Sequence, residues 1–169
     1  FTHYKMDLQK RLIQDKPGAL SGQSPTDKGL AYWGEYVEAV RSVIGYDKVL
    51  GADHFGYLNV DDGIRLGKAM EKYSLAYIED VINWDRTNSI QLNKMITDGS
   101  PTPTLNGEDL FGLEAFRPWI ENHAVDIIHP DMETSGGIIE TKKIADYANM
   151  FGIPVMFHFA GSPVGCVAS

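Results

Sequence analysis

The chain has 169 residues, of which 43% are hydrophobic and 22% charged, a composition typical of one globular domain. Acidic residues outnumber basic ones by 23 to 15, and the net charge of −8 argues against a nucleic-acid partner, which usually requires a basic surface. No segment approaches the ~20 apolar residues of a membrane-spanning helix. We therefore expect neither a nucleic acid nor a membrane as a partner.

The chain contains a single cysteine, Cys166, which excludes an internal disulfide and is typical of proteins in a reducing compartment. We therefore expect a cytoplasmic location. The sequence starts inside a predicted strand and stops inside a predicted element, so we also expect a fragment or a sequence whose ends are missing.

Short apolar runs alternate with segments of helical periodicity along the chain. A strand is predicted at Thr2–Leu8, followed by a polar, Pro/Gly/Ser-rich loop at 14–29 and a helix at Gly29–Ile44. The strands predicted after these are Val49–Asp53, Leu75–Glu79, Thr102–Gly107, Ala124–Pro130 and Pro154–Phe159. The helices predicted between them are Asn59–Tyr73, Thr87–Thr97, Asp109–Asn122 and Gly137–Phe151.

Alternating strands and helices predict an α/β fold with a parallel sheet, either an open doubly wound sheet or a (β/α)8 TIM-type barrel. Ionisable residues end nearly every strand, which favours the barrel, because barrel enzymes draw catalytic groups from several strand ends. A closed barrel needs eight strands, so we expect a partial one. The prediction is a single catalytic domain, residues 1–169, of about six βα units. Exposed sheet edges would favour association, so we expect a homo-oligomer.

Three acids, Asp53, Glu79 and Glu108, each end a short apolar run and are spaced 26 and 29 residues apart. A strand, a loop and a helix together take roughly 25–35 residues, so a βα repeat would bring these acids together. Converging carboxylates form an oxygen-rich site for a hard divalent cation. Asp131 and His158 continue the spacing and are candidates for a catalytic pair.

This order of residues resembles the enolase superfamily and, within it, the mandelate racemase group, in which acid-sugar dehydratases are numerous. The resemblance rests on the three acids together with Lys5-x-Asp7, Pro130-Asp131, Gly136-Gly137 and His158. It implies that the chain runs from the second barrel strand to the seventh. The first and eighth strands and the capping domain that normally closes the site would be absent.

The resemblance implies that the three acids bind one Mg²⁺, with positions left for a substrate carboxylate and water. It also implies that His158, oriented by Asp131, removes the proton α to the carboxylate of a small acid-sugar substrate. Mg²⁺ would hold the resulting enediolate, and loss of the β-hydroxyl would give a 2-keto-3-deoxy acid. Lys5 would neutralise the substrate carboxylate or stabilise the enediolate.

Asp7 departs from the family pattern, which usually has a second lysine at that position. A racemase needs a base on each face of the α-carbon, and Asp7 is a poor substitute for such a lysine. The departure favours a dehydratase that uses one base. A racemase, an epimerase or another isomerase acting through an enediolate stays open, as does a non-catalytic protein or an inert fragment with the same fold.

Four further residues are candidates for substrate contacts: Asp7, His54, Asn106 and His129. His54 follows the first metal ligand, one position earlier than the histidine of some dehydratases in this group, and this offset argues against a leaving-group acid. Turn chemistry explains Asn106 equally well. His129 shares a strand face with Asp131 by alternation, but a packed, hydrogen-bonded histidine explains it too.

Overall fold

The computed structural model of the protein describes residues 2–169. Its internal contacts divide the described chain into two compact units, one comprising residues 2–83 and 95–104 and the other residues 84–94 and 105–169. Among the described residues, no helix combines the length and the apolar character needed to cross a membrane.

The first unit contains most of the predicted elements of the first half of the chain. Its strands are β1 (His3–Asp7), β2 (Leu20–Ser21), β3 (Ser24–Pro25), β4 (Val49–Asp53) and β5 (Tyr77–Glu79). Its helices are α1 (Asp27–Ile44) and α2 (Val60–Met70), with short 3-10 turns at Lys10–Leu12 and Glu71–Tyr73. Asn59 caps α2, because its side chain accepts a hydrogen bond from the Asp62 amide.

Parallel pairing aligns the ends of three strands in this unit. β1 pairs with β4 from His3↔Val49 to Asp7↔Asp53, and β4 pairs with β5 from Gly51↔Tyr77 to Asp53↔Glu79. Each of the three strands therefore ends on an acid at the same edge. Gly51 permits this packing, because a Cβ there would lie 2.1 Å from the Tyr77 ring.

The second unit is built around its own apolar core. Its elements are α3 (Ser89–Gly99, whose residues after Lys94 belong to the first unit), β6 (Thr104–Asn106, whose first residue belongs to the first unit), α4 (Gly112–Glu121), β7 (Ile127–Ile128), α5 (Gly137–Met150) and α6 (Pro163–Ala168). β6 and β7 pair in parallel at Leu105↔Ile127 and Asn106↔Ile128. Phe116, Trp119 and Ile120 of α4 pack with Ile144 and Ala148 of α5 in the buried core.

The last predicted strand, Pro154–Phe159, is only partly formed. Two isolated parallel bridges hold it: Ile128↔Val155 joins it to β7, and Asp131↔His158 joins it to the segment that follows β7. Pro130 lacks an N–H group, so a continuous ladder cannot form between the bridges. The His158 amide nevertheless donates to the Pro130 carbonyl at 3.0 Å, which places His158 beside Asp131.

Three local features differ from the sequence-based expectations. The 14–29 loop contains the β2–β3 hairpin, in which Leu20 pairs with Pro25, and the first residues of α1. The strand predicted at Ala124–Pro130 forms only at Ile127–Ile128. The C-terminal helix α6 was not predicted; its Ser162 cap accepts from the Gly165 amide.

Arg41 is a buried cation whose hydrogen bonds join α1 to the turns at residues 45–48 and 73–74. Only 4% of its surface is exposed. Its guanidinium donates to four carbonyl oxygens at 2.7–3.1 Å, those of Tyr73, Gly45, Lys48 and Ser74. One side chain therefore satisfies four backbone acceptors, of which the Tyr73 carbonyl lies in a buried contact and the others in partly buried ones.

We expect Arg41→Met to lower the free energy of unfolding by about 3–5 kcal/mol, because it removes four hydrogen bonds from a charged donor, one of them to the buried Tyr73 carbonyl. Urea denaturation followed by circular dichroism measures this loss. Arg117→Met is the matched control: Arg117 is partly exposed and pairs with Glu121 at 3.2 Å, so its loss should cost less than about 1 kcal/mol. Equal losses for the two variants would contradict the role given to Arg41.

Candidate active site and metal centre

Two predicted metal ligands of the first unit lie side by side. Asp53 and Glu79 end the paired strands β4 and β5 and are 3% and 0% exposed. Lys5 of β1 lies between them, with its Nζ 2.9 Å from Glu79 Oε1 and 3.4 Å from Asp53 Oδ2. The structure therefore brings together Lys5, Asp53 and Glu79.

The pair of carboxylates carries more negative charge than Lys5 neutralises. The pKa of Asp53 is raised, first because the group is buried and second because Glu79 carries a like charge; Lys5 opposes both effects. A buried site with two carboxylates and one ammonium favours a further positive charge. Oxygen donors of this kind are the ligands that Mg²⁺ prefers, so these residues fit the predicted ion.

The side chain of Asp7 points toward the residues that follow β1 in the chain. Its carboxylate is about half exposed and lies 3.4 Å from Arg11 Nη2 and 3.5 Å from Gln9 Nε2. The backbone of Asp7 is in register with Asp53. The structure therefore places Asp7 near the strand ends, with its side chain engaged in exposed contacts.

His54 is buried on the other side of its strand from Asp53, as alternation requires. It is 2% exposed and meets the Trp33 ring edge-on, with the ring centroids 6.1 Å apart. Burial lowers the pKa of His54 to about 4, so the ring is neutral. Neither ring nitrogen has a hydrogen-bond partner among residues 2–169.

In the second unit, His158 and Asp131 form the predicted dyad. His158 Nδ1 lies 2.7 Å from Asp131 Oδ2. The other carboxylate oxygen, Oδ1, accepts from the amides of Glu133 and Thr134 at 2.7 and 3.1 Å. Burial acts to raise the pKa of Asp131, but the bond to His158 and these amide bonds together lower it. Asp131 is therefore an ionised acceptor that orients the imidazole.

Glu108 lies at the other nitrogen of the same imidazole. Its Oε2 is 3.1 Å from His158 Nε2. Because Nδ1 faces the ionised Asp131, a neutral His158 keeps its proton on Nδ1, and Nε2 is then the basic nitrogen; the contact of Nε2 with Glu108 is an ion pair only when the ring is protonated. A base thus lies directly beside a predicted metal ligand.

His129 and Asn106 lie in the same unit, each at the end of a strand: Asn106 is the last residue of β6, and His129 directly follows β7. His129 is 4% exposed; its Nδ1 is 2.8 Å from the Met156 carbonyl oxygen, and its ring meets the His158 ring edge-on at 5.3 Å. Asn106 is buried, and its Nδ2 has no hydrogen-bond partner within the described residues. Both are therefore buried polar side chains. His129 contacts the ring of His158, and Asn106 precedes Glu108 by two residues in the sequence.

Sequence analysis missed one residue near the acids of the first unit. Tyr77 is buried, and its hydroxyl lies 3.1 Å from His3 Nε2. Burial and then the charge of Glu79 raise the pKa of Tyr77 to about 12, so the phenol stays protonated as a donor. The available signal was alternation, since Tyr77 precedes Glu79 by two residues on the same strand.

We expect Lys5→Met to lower the free energy of unfolding in metal-free buffer by about 1–3 kcal/mol, because it leaves two buried carboxylates without their cation. Urea denaturation in the presence of a chelator measures the change. Lys142→Met is the control, because Lys142 pairs with Asp146 on the surface. A loss no larger than that of the control would contradict the charge balance described here.

Comparison with known proteins identifies the family to which the chain belongs. The family model described as "Enolase C-terminal domain-like" matches residues 1–169 and so covers both units. A D-xylonate dehydratase from Haloferax volcanii is 35% identical over 135 residues, covering 80% of this chain and 32% of that protein. A D-galactonate dehydratase family member from Cellvibrio japonicus is 33% identical over 135 residues, covering 80% and 33%.

Solved structures confirm the fold. The mandelate racemase/muconate lactonizing enzyme-like protein from Rubrobacter xylanophilus superposes with a TM-score of 0.86 at 27% identity, covering 99% of this chain and 42% of that one. The chain spans about a third of the length of the curated relatives it matches. The predicted α/β fold, part of an enolase-superfamily barrel, is therefore confirmed. The chain belongs to the enolase C-terminal domain-like family and is similar to the mandelate racemase group and its acid-sugar dehydratases.

Proposed function

We propose that this chain is the catalytic barrel portion of a Mg²⁺-dependent lyase that dehydrates an acid sugar to a 2-keto-3-deoxy acid. The observation that carries the proposal is the His158–Asp131 dyad with Glu108 beside Nε2. The dehydratase names of the relatives from Haloferax volcanii and Cellvibrio japonicus support the reaction class.

The carboxylates of Asp53, Glu79 and Glu108 would hold the cation. Support comes from the family resemblance and from the burial and raised pKa of Asp53, which favour added positive charge. When bound, the cation acts as a Lewis acid that stabilises negative charge developing on the substrate carboxylate. Side chains of this chain carry out the remaining steps.

His158 is the proposed base that removes the proton α to the carboxylate. Asp131 accepts from Nδ1–H, which keeps that proton in place and leaves the Nε2 lone pair for the substrate. As Nε2 takes the proton, the ring becomes cationic, and the ionised Asp131 stabilises that charge. Two amide bonds to Asp131 Oδ1 hold the carboxylate in this orientation.

Lys5 is the proposed partner of the anionic substrate. Its side chain is about one-third exposed while the ammonium contacts the buried Glu79, so it can also meet a ligand.

The electrons of the broken C–H bond form a double bond between the α-carbon and the carboxylate carbon. When these electrons move back toward the β-carbon, the bond to the β-hydroxyl breaks, and the hydroxyl leaves as water after it is protonated. Tautomerisation of the resulting enol then gives the keto acid.

A racemase or epimerase is the alternative reaction, and the position of Asp7 argues against it. That reaction needs a second base on the opposite face of the α-carbon. Asp7 occupies the expected sequence position, but its side chain is half exposed beside Arg11. One base is sufficient to begin dehydration, so the arrangement favours the lyase.

Three expectations accompany the proposed reaction. We propose that residues 1–169 act as one partial barrel domain, which the extent of the family match supports. The lone Cys166 supports a cytoplasmic location. Exposed apolar side chains such as Ile139 of α5, which is 75% exposed, support a homo-oligomer.

We expect His158→Gln to lower kcat for dehydration at least about 100-fold, because the base is removed. A screen of acid sugars for 2-keto-3-deoxy products identifies the substrate and then measures the loss. His123→Asn is the control, because His123 is exposed and asparagine tolerates its left-handed backbone (φ 48°). Wild-type rates in His158→Gln would contradict the assignment.

We expect reaction in D₂O to give water loss together with deuterium in the product, and no inverted substrate, because the proposed reaction uses one base, His158. Mass spectrometry and chiral chromatography of the recovered substrate measure both. Deuterium entry at the α-carbon with inversion and without dehydration would establish the racemase alternative.

A further inference from the structure

We propose that Glu133 is a positioning residue that keeps His158 aligned with Asp131, because it joins the two segments that carry this dyad. The inference rests on the proposed function, since it takes His158 as the base. It deepens that function by naming a residue outside the dyad on which the base depends. All the residues concerned lie in the second unit.

The segment that carries His158 is held by isolated parallel bridges rather than by a continuous ladder. Pro130, on the neighbouring segment, has no N–H group with which to extend the pairing. Residues 159–162, which follow the base in the chain, are exposed. A side-chain contact that fixes this exposed stretch therefore restricts the movement of His158.

Glu133 contacts both segments. Its backbone amide donates to Asp131 Oδ1 at 2.7 Å, which helps to orient the carboxylate that faces His158. Its side chain reaches the stretch beyond the base: Oε2 accepts from the Ser162 amide at 2.9 Å, and Oε1 accepts from the Ser162 hydroxyl at 2.5 Å. One residue therefore connects the acceptor of the dyad to the chain that carries the base.

The hydroxyl of Ser162 extends this connection to α6. A carboxylate can only accept, so the Ser162 Oγ gives its proton to Glu133. The same oxygen accepts from the Gly165 amide at 3.1 Å and thereby caps α6. Glu133 is thus part of a short hydrogen-bond chain that ends in a helix.

Two glycines leave room for the Glu133 carboxylate. A Cβ at Gly161 would lie 1.4 Å from Glu133 Oε2, and one at Gly165 would lie 2.4 Å from Glu133 Cδ. A side chain at either position would therefore displace the carboxylate from Ser162. Neither glycine has a left-handed backbone, so a larger residue there would disturb Glu133 rather than the local backbone conformation.

The contact acts locally and is not a support for the whole fold. Glu133 and Ser162 are both exposed, and substitutions at exposed positions usually change the free energy of unfolding little. We therefore expect loss of the Glu133 side chain to leave the denaturation midpoint near that of the wild-type protein. The alignment of His158 with Asp131 should nevertheless be impaired.

The first test compares Glu133→Ala with Glu114→Ala by nuclear magnetic resonance of ¹⁵N-histidine-labelled protein. The ring nitrogen shifts of a neutral His158, assigned by their loss in His158→Gln, report which nitrogen carries the proton. We expect the Nδ1–H tautomer in the wild-type protein and in Glu114→Ala, and a mixture of tautomers in Glu133→Ala. Glu114 is the matched control, because it is an exposed glutamate of α4 that lies 3.6 Å from Arg117.

The same variants are compared for dehydration. We expect kcat to fall about tenfold in Glu133→Ala, because a displaced base is less effective, and KM to change less than about twofold. A residue that supported only the stability of the fold would change neither the tautomer nor kcat of the folded protein.

A further variant separates alignment of the base from stability of α6. Alanine has a higher helix propensity than glycine, so Gly165→Ala would stabilise α6 if the glycine had no other role. Because a Cβ there meets Glu133, we expect Gly165→Ala to shift the His158 tautomer and to lower kcat. In the Glu133→Ala background the same change should add nothing, since the carboxylate it displaces is already absent.

The outcomes separate this inference from the function on which it rests. A wild-type tautomer and wild-type kcat in Glu133→Ala, or additive effects of the two changes, would overturn the role of Glu133 and leave His158 as the proposed base. If the wild-type protein dehydrates no acid sugar, the proposed function fails, while the tautomer still tests the alignment. Circular dichroism confirms that each variant is folded, and Glu133→Gln, which removes the charge and one acceptor oxygen, replaces Glu133→Ala if that variant does not fold.

Discussion

Two buried carboxylates held side by side are the constraint on which the site depends. Parallel register places Asp53 opposite Glu79 at the ends of neighbouring strands, and burial keeps water from screening their repulsion. Lys5 offsets part of this charge from the adjacent strand. The fold therefore holds like charges in a geometry that a bound cation would stabilise.

The second unit uses hydrogen bonds to select histidine tautomers. Asp131 occupies Nδ1 of His158, and the Met156 carbonyl occupies Nδ1 of His129. In both rings the neutral form then presents Nε2 as a lone pair. The difference lies in the acceptor: an ionised carboxylate stabilises a protonated ring as well as orienting it, whereas a carbonyl carries no full charge. This distinction supports proton transfer at His158.

Much of the fold could be predicted, because the chain repeats one physical pattern. Buried parallel strands read as short apolar runs, and the helices between them show clear periodicity, so the order of the elements and the approximate bounds of the helices were predicted correctly. The strand predicted at Ala124–Pro130 is shorter in the structure, Ile127–Ile128. The last strand, Pro154–Phe159, was predicted as continuous but forms only two isolated bridges, because periodicity and composition did not reveal that Pro130 on the neighbouring segment would interrupt the hydrogen-bond ladder. The β2–β3 hairpin and α6 were missed because two-residue strands and a six-residue helix carry little pattern.

The sequence by itself determined which chemical groups end each strand, because spacing and alternation are local properties of the chain. It thereby identified Asp53 with Glu79 and Asp131 with His158 as neighbours. The tertiary structure decided what each side chain faces: His54 packs on Trp33, Asp7 contacts Arg11, and His129 donates to Met156. Those outcomes depend on packing between segments distant in sequence, which no local pattern records.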